Sequence, residues 1–289
     1  MKGPKQLTVV SGKGGTGKTT ALASFAALAQ NKVLVDADVD AANLHLVLNP
    51  TMIEQGEFYG AQVAVRDPDL CQGCGECERR CRFEAITTTE VDELACEGCG
   101  ICVLACPHKA LKLQSVACGK WYVSDTPYGP LAHANLLPAA ESSGRLVTIV
   151  RQKAEDVALA QGLPLILIDG SPGVGCTAVA ALADVDLALI VTEPSLSGIH
   201  DMERVSELIA HFGIPAAVLI NKADINEENT QRIRDYCAEH GLAVIGALPY
   251  DESVTEAMAK KVPLVEYAKG PVAQGLRAAW AKLERMLAD

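Results

Sequence analysis

No run of eighteen or more apolar residues occurs in the 289-residue sequence, so a membrane-crossing helix is not expected. Nothing resembling a secretory leader follows Met1-Lys2-Gly3-Pro4-Lys5: the chain runs straight into Gln6–Ser11, a short apolar strand pattern with no long apolar stretch or small-residue cleavage site behind it. Positive charge is scarce. Twenty-five Lys and Arg stand against 36 Asp and Glu, a net charge of −11, which argues against charge-driven binding to nucleic acid or to an anionic membrane surface. The six histidines show no metal-ligand spacing. These absences predict a cytoplasmic protein with no nucleic-acid partner and no stable membrane insertion. In that reducing compartment disulfides do not persist, and eleven cysteines are too many for an ordinary core, so they read as metal ligands.

Short continuous apolar runs recur at Leu7–Val10, Lys32–Val35, Leu165–Ile168, Leu187–Val191, Ala216–Ile220 and Ala243–Leu248. Runs of this kind suit strands covered on both faces in a parallel sheet. Helical patterns at Lys18–Gln30, Ile199–His211 and Glu227–His240 lie between them, which predicts a doubly wound, mostly parallel α/β fold. Val272, Leu276, Trp280, Leu283 and Leu287 recur at helical spacing and predict a final helix docked on the core, with a membrane-surface helix as the other reading.

One stretch breaks the alternation. From about Asp67 to Leu113 the chain is dense in Cys and Gly and contains a repeat, Cys71-Gln-Gly-Cys74-Gly-Glu-Cys77 then Cys81, against Cys96-Glu-Gly-Cys99-Gly-Ile-Cys102 then Cys106. Phe83-Glu84-Ala85-Ile86 continues in parallel with His108-Lys109-Ala110-Leu111, so two similar half-modules packed about a pseudo-twofold axis are expected. The expected organisation is a nucleotide-binding domain at 1–66 and 114–289 with a small inserted α+β module at 67–113.

Gly12-Lys13-Gly14-Gly15-Thr16-Gly17-Lys18-Thr19 fits G-x-x-x-x-G-K-S/T directly after a strand and before a helix, the context the phosphate loop requires. Its glycines turn backbone N–H groups inward onto phosphates, and the positive end of the following helix faces the same anion. Lys18 is expected on the β- and γ-phosphates and the Thr19 hydroxyl on Mg²⁺. The early lysine in Lys13-Gly14-Gly15-Thr16-Gly17-Lys18-Thr19-Thr20 makes the loop resemble that of the MinD/ParA-type ATPases, relatives of the nitrogenase iron protein. That resemblance implies a P-loop ATPase fold, ATP with Mg²⁺, and a homodimer, or a heterodimer with a paralogue, formed on ATP binding. It makes Lys13 a residue that crosses the dimer interface to the partner's phosphates, adding charge where it develops in the transition state.

Leu34-Val35-Asp36-Ala37-Asp38-Val39-Asp40 resembles the family's first switch, at the sheet edge where ligands bind. Asp38 aligns with the aspartate that orients the attacking water, while Asp36 and Asp40 are candidates for Mg²⁺ or supporting roles. Leu165–Gly173 resembles Walker B with the second switch, making Asp169 a Mg²⁺ partner through water and Gly170 a donor to the γ-phosphate. Asn221 in Ile220-Asn221-Lys222-Ala223-Asp224 is a candidate for recognising the base. The family implies adenine, whereas N-K-x-D alone suggests guanine. Leu248-Pro249-Tyr250-Asp251 either closes over the base or is a plain strand end.

Cys-x₂-Cys-x₂-Cys-x₃-Cys, present twice and followed by Pro107 the second time, is the spacing of bacterial two-cluster ferredoxins. That resemblance implies one 4Fe–4S cluster held by Cys71, Cys74, Cys77 and Cys106 and another by Cys96, Cys99, Cys102 and Cys81. Structural zinc is the competing reading of Cys-x₂-Cys pairs. Arg82 stands where a proline is expected after Cys81 and would place positive charge near a cluster. Cys176, close to the second switch, reads as a buried inert thiol or, by analogy with the nitrogenase iron protein, as a ligand; Cys118 and Cys237 read as unligated. Residues Trp121 to Lys153 resemble a segment of the MinD-superfamily ATPases that carry an inserted ferredoxin domain.

The expected function is an ATP-hydrolysing, dimerising switch carrying two 4Fe–4S clusters, coupling hydrolysis to electron transfer with a redox protein partner. An iron–sulfur or metal-cofactor carrier, and a non-redox partition-type switch with structural clusters, remain open beside it.

Overall fold

A computed structural model describes residues 3–137 and 143–288; the part of the Trp121–Lys153 segment at 138–142 lies outside the described residues. The chain begins with β1 (Lys5–Ser11), α1 (Lys18–Leu28), β2 (Lys32–Asp36), α2 (Leu44–Leu48) and β3 (Thr51–Phe58). It continues through β4 (Ala61–Arg66), α3 (Glu76–Arg80), α4 (Ile101–Ala105), β5 (Leu111–Val116), β6 (Gly119–Asp125) and β7 (Leu131–Leu136). Then follow α5 (Ser143–Gln161), β8 (Leu165–Pro172), α6 (Cys176–Leu182), β9 (Leu187–Thr192), α7 (Leu196–His211), β10 (Ala216–Ile220), α8 (Glu227–Glu239) and β11 (Ala243–Ala247). Helices α9 (Ser253–Ala259), α10 (Leu264–Tyr267) and α11 (Pro271–Ala288) close the fold.

Nine strands form one sheet in the order β11-β10-β9-β1-β8-β2-β7-β6-β3. β1 runs parallel to β8 and β9, β2 to β8 and β7, and β10 to β9 and β11. The six apolar runs of the sequence are six of these strands, and their period of two explains the layers. Leu7 and Val9 of β1, Leu187, Leu189 and Val191 of β9, and Ala217 and Leu219 of β10 share one core with α1 and α11. The intervening Val10, Ala188, Ile190, Val218 and Ile220 share another with α7 and α8. The final helix docks on the first core as its spacing predicts, with Trp280 5.5 Å from Phe25 between ring centroids. No helix among the described residues is long and apolar enough to cross a membrane.

Two compact units emerge. The first comprises Met1–Gln55, Trp121–Asn135 and Ser143–Asp289, the second Gly56–Lys120 and Leu136–Ser142. The second is wider than the cysteine repeat because β4 and β5, one on each side of it in the chain, pair with each other antiparallel, Arg66 opposite Leu111 and Ala64 opposite Leu113. The repeat is also a repeat of backbone. Gly73 and Gly98 have φ of 67° and 61°, Gly75 and Gly100 of 73° and 75°, Glu84 and Lys109 of 53° and 51°. Cys81 and Cys106 end the two short helices at φ, ψ of −75°, 108° and −73°, 111°. An isolated bridge between Ile86 and Val91 is the repeat's counterpart of the Leu111–Arg66 pair.

Candidate nucleotide site and cysteine hollows

The phosphate loop joins buried β1 to buried α1, so its backbone is fixed at both ends. Gly15 and Gly17 take φ of 80° and 100°, which L side chains resist. A Cβ on Gly17 would also lie 2.5 Å from the Asn221 amide nitrogen, and one on Gly12 would lie 2.3 Å from Cβ of Asp201. Lys18 is buried, and the Thr19 hydroxyl donates to Oδ2 of Asp169 at 2.7 Å. The Thr16 hydroxyl and the other Asp169 oxygen are buried with no hydrogen-bond partner among the described residues. Gly14 stands exposed in the open loop, and Thr20 lies 3.8 Å from the Met258 sulfur.

Three carboxylates that look alike in sequence differ in space. Asp36, opposite Asp169 in the β2–β8 register, is fully buried and accepts backbone N–H groups from Asp38 (3.2 Å), Asn43 (3.1 Å) and Leu44 (3.0 Å). It fastens the turn that carries Asp38. Asp38 is half-buried and Asp40 exposed. Burial pushes Asp36 well above the ordinary carboxylate range, Asp169 pushing the same way against those N–H groups. Burial also raises Asp38, with Lys18 opposing. Asp169 is raised to about 6 by burial, with Lys18 and the Thr19 hydrogen bond pulling it down. Gly170 follows Asp169 on β8, where a Cβ would lie 2.9 Å from Val10.

Lys13 sits in a clamp that no motif announced. Its ammonium lies 2.7 Å from Glu193 and 3.0 Å from each of the Ser195 and Ser197 hydroxyls. Lys222 takes the other Glu193 oxygen at 2.8 Å and reaches the Gly15 carbonyl at 3.3 Å. Burial alone would raise Glu193; the bonds from Lys13 and Lys222 outweigh it and hold the carboxyl below its ordinary value. Asn221 donates to the Thr16 carbonyl at 2.8 Å and accepts the Lys222 N–H at 3.0 Å, so its amide braces the loop. Pro249 follows Leu248, whose carbonyl accepts from Ala223, and Asp224 accepts the Tyr250 N–H at 2.6 Å, which ties the two loops together.

Two hollows in the second unit are lined by its cysteines. One, of about 350 Å³, is lined by Cys71, Cys74, Cys77 and Cys106. The other, of about 320 Å³, is lined by Cys81, Cys96, Cys99 and Cys102. Each run of cysteines therefore gives three side chains to one hollow and its last to the other. The Ala110 N–H points at the Cys106 sulfur (3.3 Å) and the Ala64 N–H at that of Cys96 (3.4 Å). Among the described residues no three or more His, Cys, Asp or Glu side chains converge tightly enough for a single metal ion. Of the remaining thiols, Cys118 is buried and accepts the Gly60 N–H at 3.1 Å and Cys237 is raised to about 11 by burial, whereas Cys176, expected to be buried, is exposed because it opens the first turn of α6.

A glycine-rich loop between a buried parallel strand and a helix, with a buried lysine and a Thr–Asp pair at its end, defines a P-loop nucleotide-binding protein. The CobQ/CobB/MinD/ParA nucleotide binding domain matches residues 7–264, and the chain belongs to that family. An uncharacterized protein of Methanocaldococcus jannaschii is 28% identical over 285 residues, covering 98% of this chain and 97% of that one. The cell division ATPase MinD of Pyrococcus furiosus shares the fold with a TM-score of 0.61 at 19% identity, over 98% of this chain and 99% of that one. The septum site-determining protein MinD of Pyrococcus horikoshii, solved with Mg-ADP, shares it with a TM-score of 0.60 at 19% identity, over 98% and 97%.

Proposed function

We propose that the chain is a cytoplasmic, ATP-hydrolysing switch that dimerises on ATP, carries two 4Fe–4S clusters in its cysteine unit, and couples hydrolysis to electron transfer with a redox protein. The reading of the cysteine unit as a ferredoxin-like insert rests on one observation above all: the interleaved lining of the two hollows by Cys71, Cys74, Cys77, Cys106 and by Cys96, Cys99, Cys102, Cys81. Zinc draws four thiolates to about 2.3 Å from one point. Four thiols that rim a hollow without converging suit a polynuclear group instead. Such a group supplies a reversible one-electron store; the chain supplies thiolates, N–H groups and enclosure.

For the nucleotide, Lys18 and the loop N–H groups would hold phosphates, while Thr19 and Asp169 would hold Mg²⁺. The unpartnered Thr16 hydroxyl and Asp169 oxygen support this, because buried polar groups without partners are costly unless a ligand meets them. Asp38, kept in place by Asp36, orients the water that attacks the γ-phosphorus as the bond to the β–γ bridging oxygen breaks. Lys13 acts on the partner copy after leaving Glu193. In chain order the cysteine unit lies between the Asp36–Asp40 turn and Asp169, which favours coupling over two independent tethered modules.

The test is electron donation by the reduced protein to an acceptor ferredoxin with ATP, with ADP and without nucleotide. Donation that rises with ATP in wild type and not in Lys18→Ala supports coupling; identical rates in all three states overturn it. A spatial switch with the clusters as structural staples is the second reading, favoured by the cell-division names of the structurally similar proteins. ATP-dependent co-sedimentation with liposomes or DNA would select it.

A further inference from the structure

The two hollows are built from one repeated backbone, yet their side chains differ in charge. Residue by residue, the repeat sets Arg66 against Val91, Thr88 against Leu113, His108 against Phe83, and Gln72 against Glu97. The backbone pairs Arg66–Leu111 and Val91–Ile86 are the two copies of a single bridge, so Arg66 occupies a position that is apolar in the other half.

Arg66, Thr88 and His108 line the first hollow; Phe83, Leu113 and Glu97 line the second. The Arg66 guanidinium donates to the Thr87 carbonyl and lies 4.0 Å from the Cys77 sulfur. Its Nε and Nη1 are buried with no acceptor among the described residues. The one carboxylate at the first hollow, Glu76, is bound by Arg79 (2.5 Å) and Arg80 (3.0 Å), whereas Glu97 at the second has no ion pair among the described residues. Arg82 puts a cation near the second hollow, over the Phe83 ring at 5.4 Å, but it is exposed and solvent screens it.

We propose that Arg66 makes the two hollows electrically unequal, so that the cluster at the first has the higher reduction potential and takes the first electron. This rests on the 4Fe–4S reading above. Reduction adds one negative charge to a group already ringed by four thiolates. A guanidinium with two buried, unpartnered nitrogens stabilises that charge, and an unpaired carboxylate beside an apolar wall opposes it. Arg66 is a positioning residue of the redox site: it tunes the potential and ligates nothing.

The test is a redox titration of the anaerobically reconstituted full chain, followed by EPR, with iron counted in each variant. Wild type is expected to show two separated potentials. Arg66→Gln should lower the upper one and leave the lower in place at unchanged iron content, and Arg66→Lys should restore most of the separation. If Arg66→Gln does not hold iron, Glu97→Gln serves: the lower potential should rise and the upper stay. A single shared potential in wild type, or equal shifts at both clusters in the variants, overturns the inference. Failure of wild type to take up iron would overturn the cluster reading itself, and the iron count reveals it before any potential is measured.

Discussion

In the nucleotide unit several of the charged groups around the loop already have protein partners. Lys13 and Lys222 share Glu193, Asp36 holds three backbone N–H groups, and Thr19 holds Asp169. In the cysteine unit single donors meet Cys77, Cys96 and Cys106, and a buried apolar cluster beneath the thiols comprises Ala64, Ile86, Cys102 and Leu111. A unit of this size with so small a cluster beneath its thiols gains from a staple. On the proposed reading, the first unit folds without its nucleotide and the second is completed by its clusters.

That contrast breaks most sharply on metal removal. Stripping iron from the holo-protein, or Cys77→Ser, is expected to abolish hydrogen-exchange protection across Ala61–Arg66 and Leu111–Val116 while the nine-stranded sheet keeps its own. Equal protection of both units without metal would erase the distinction. Next in size is Lys13→Ala. Turnover should fall by about 10³-fold, the scale of a charge supplied in trans, while nucleotide affinity stays within a few-fold of wild type. Dimerisation by light scattering and ATPase assay check it, and normal hydrolysis would refute a shared active site. Within the first unit, Trp280→Ala should destabilise by roughly 3–5 kcal/mol in denaturant unfolding, as a buried aromatic packed on Phe25 implies, and leave the cluster spectrum unchanged.

The smallest effect is a pH dependence. Burial raises Asp169 from 3.8 to about 6, so the metal-free fold binds a proton more tightly than the unfolded chain does and loses stability as pH rises from 3.8 towards 6. Mg²⁺ competes with that proton. Nucleotide affinity in Mg²⁺ is therefore expected to be full above about 6 and to fall up to tenfold per unit below it. Isothermal titration across this range tests the dependence, and Asp169→Asn should flatten it.

The strands buried on both faces were legible because burial on both sides makes them mostly apolar, as at Val33–Val35 and Ile166–Ile168. Those on the other side of the sheet were not. β3 exposes Thr51 to Gln55 at the sheet edge, and α5 buries Leu146, Val147, Val150, Ala154 and Ala158, whose alanines give a weak periodic signal. In the site, the loop and the cysteine spacing are local patterns and could be read directly. The Glu193–Ser195–Ser197 clamp could not, because it meets Lys13 only after β1 and β9 pair. The difference between Asp36 and Asp40 depends on which carboxylate the sheet buries, and neighbours in sequence do not carry that information.

The central claim is that two hollows with interleaved thiols hold two 4Fe–4S clusters, and the most direct measurement is metal and sulfide stoichiometry with EPR after anaerobic reconstitution. The account predicts about eight iron and eight acid-labile sulfide per chain and two interacting paramagnets on full reduction. One or two zinc ions per chain, or no sulfide, would contradict it.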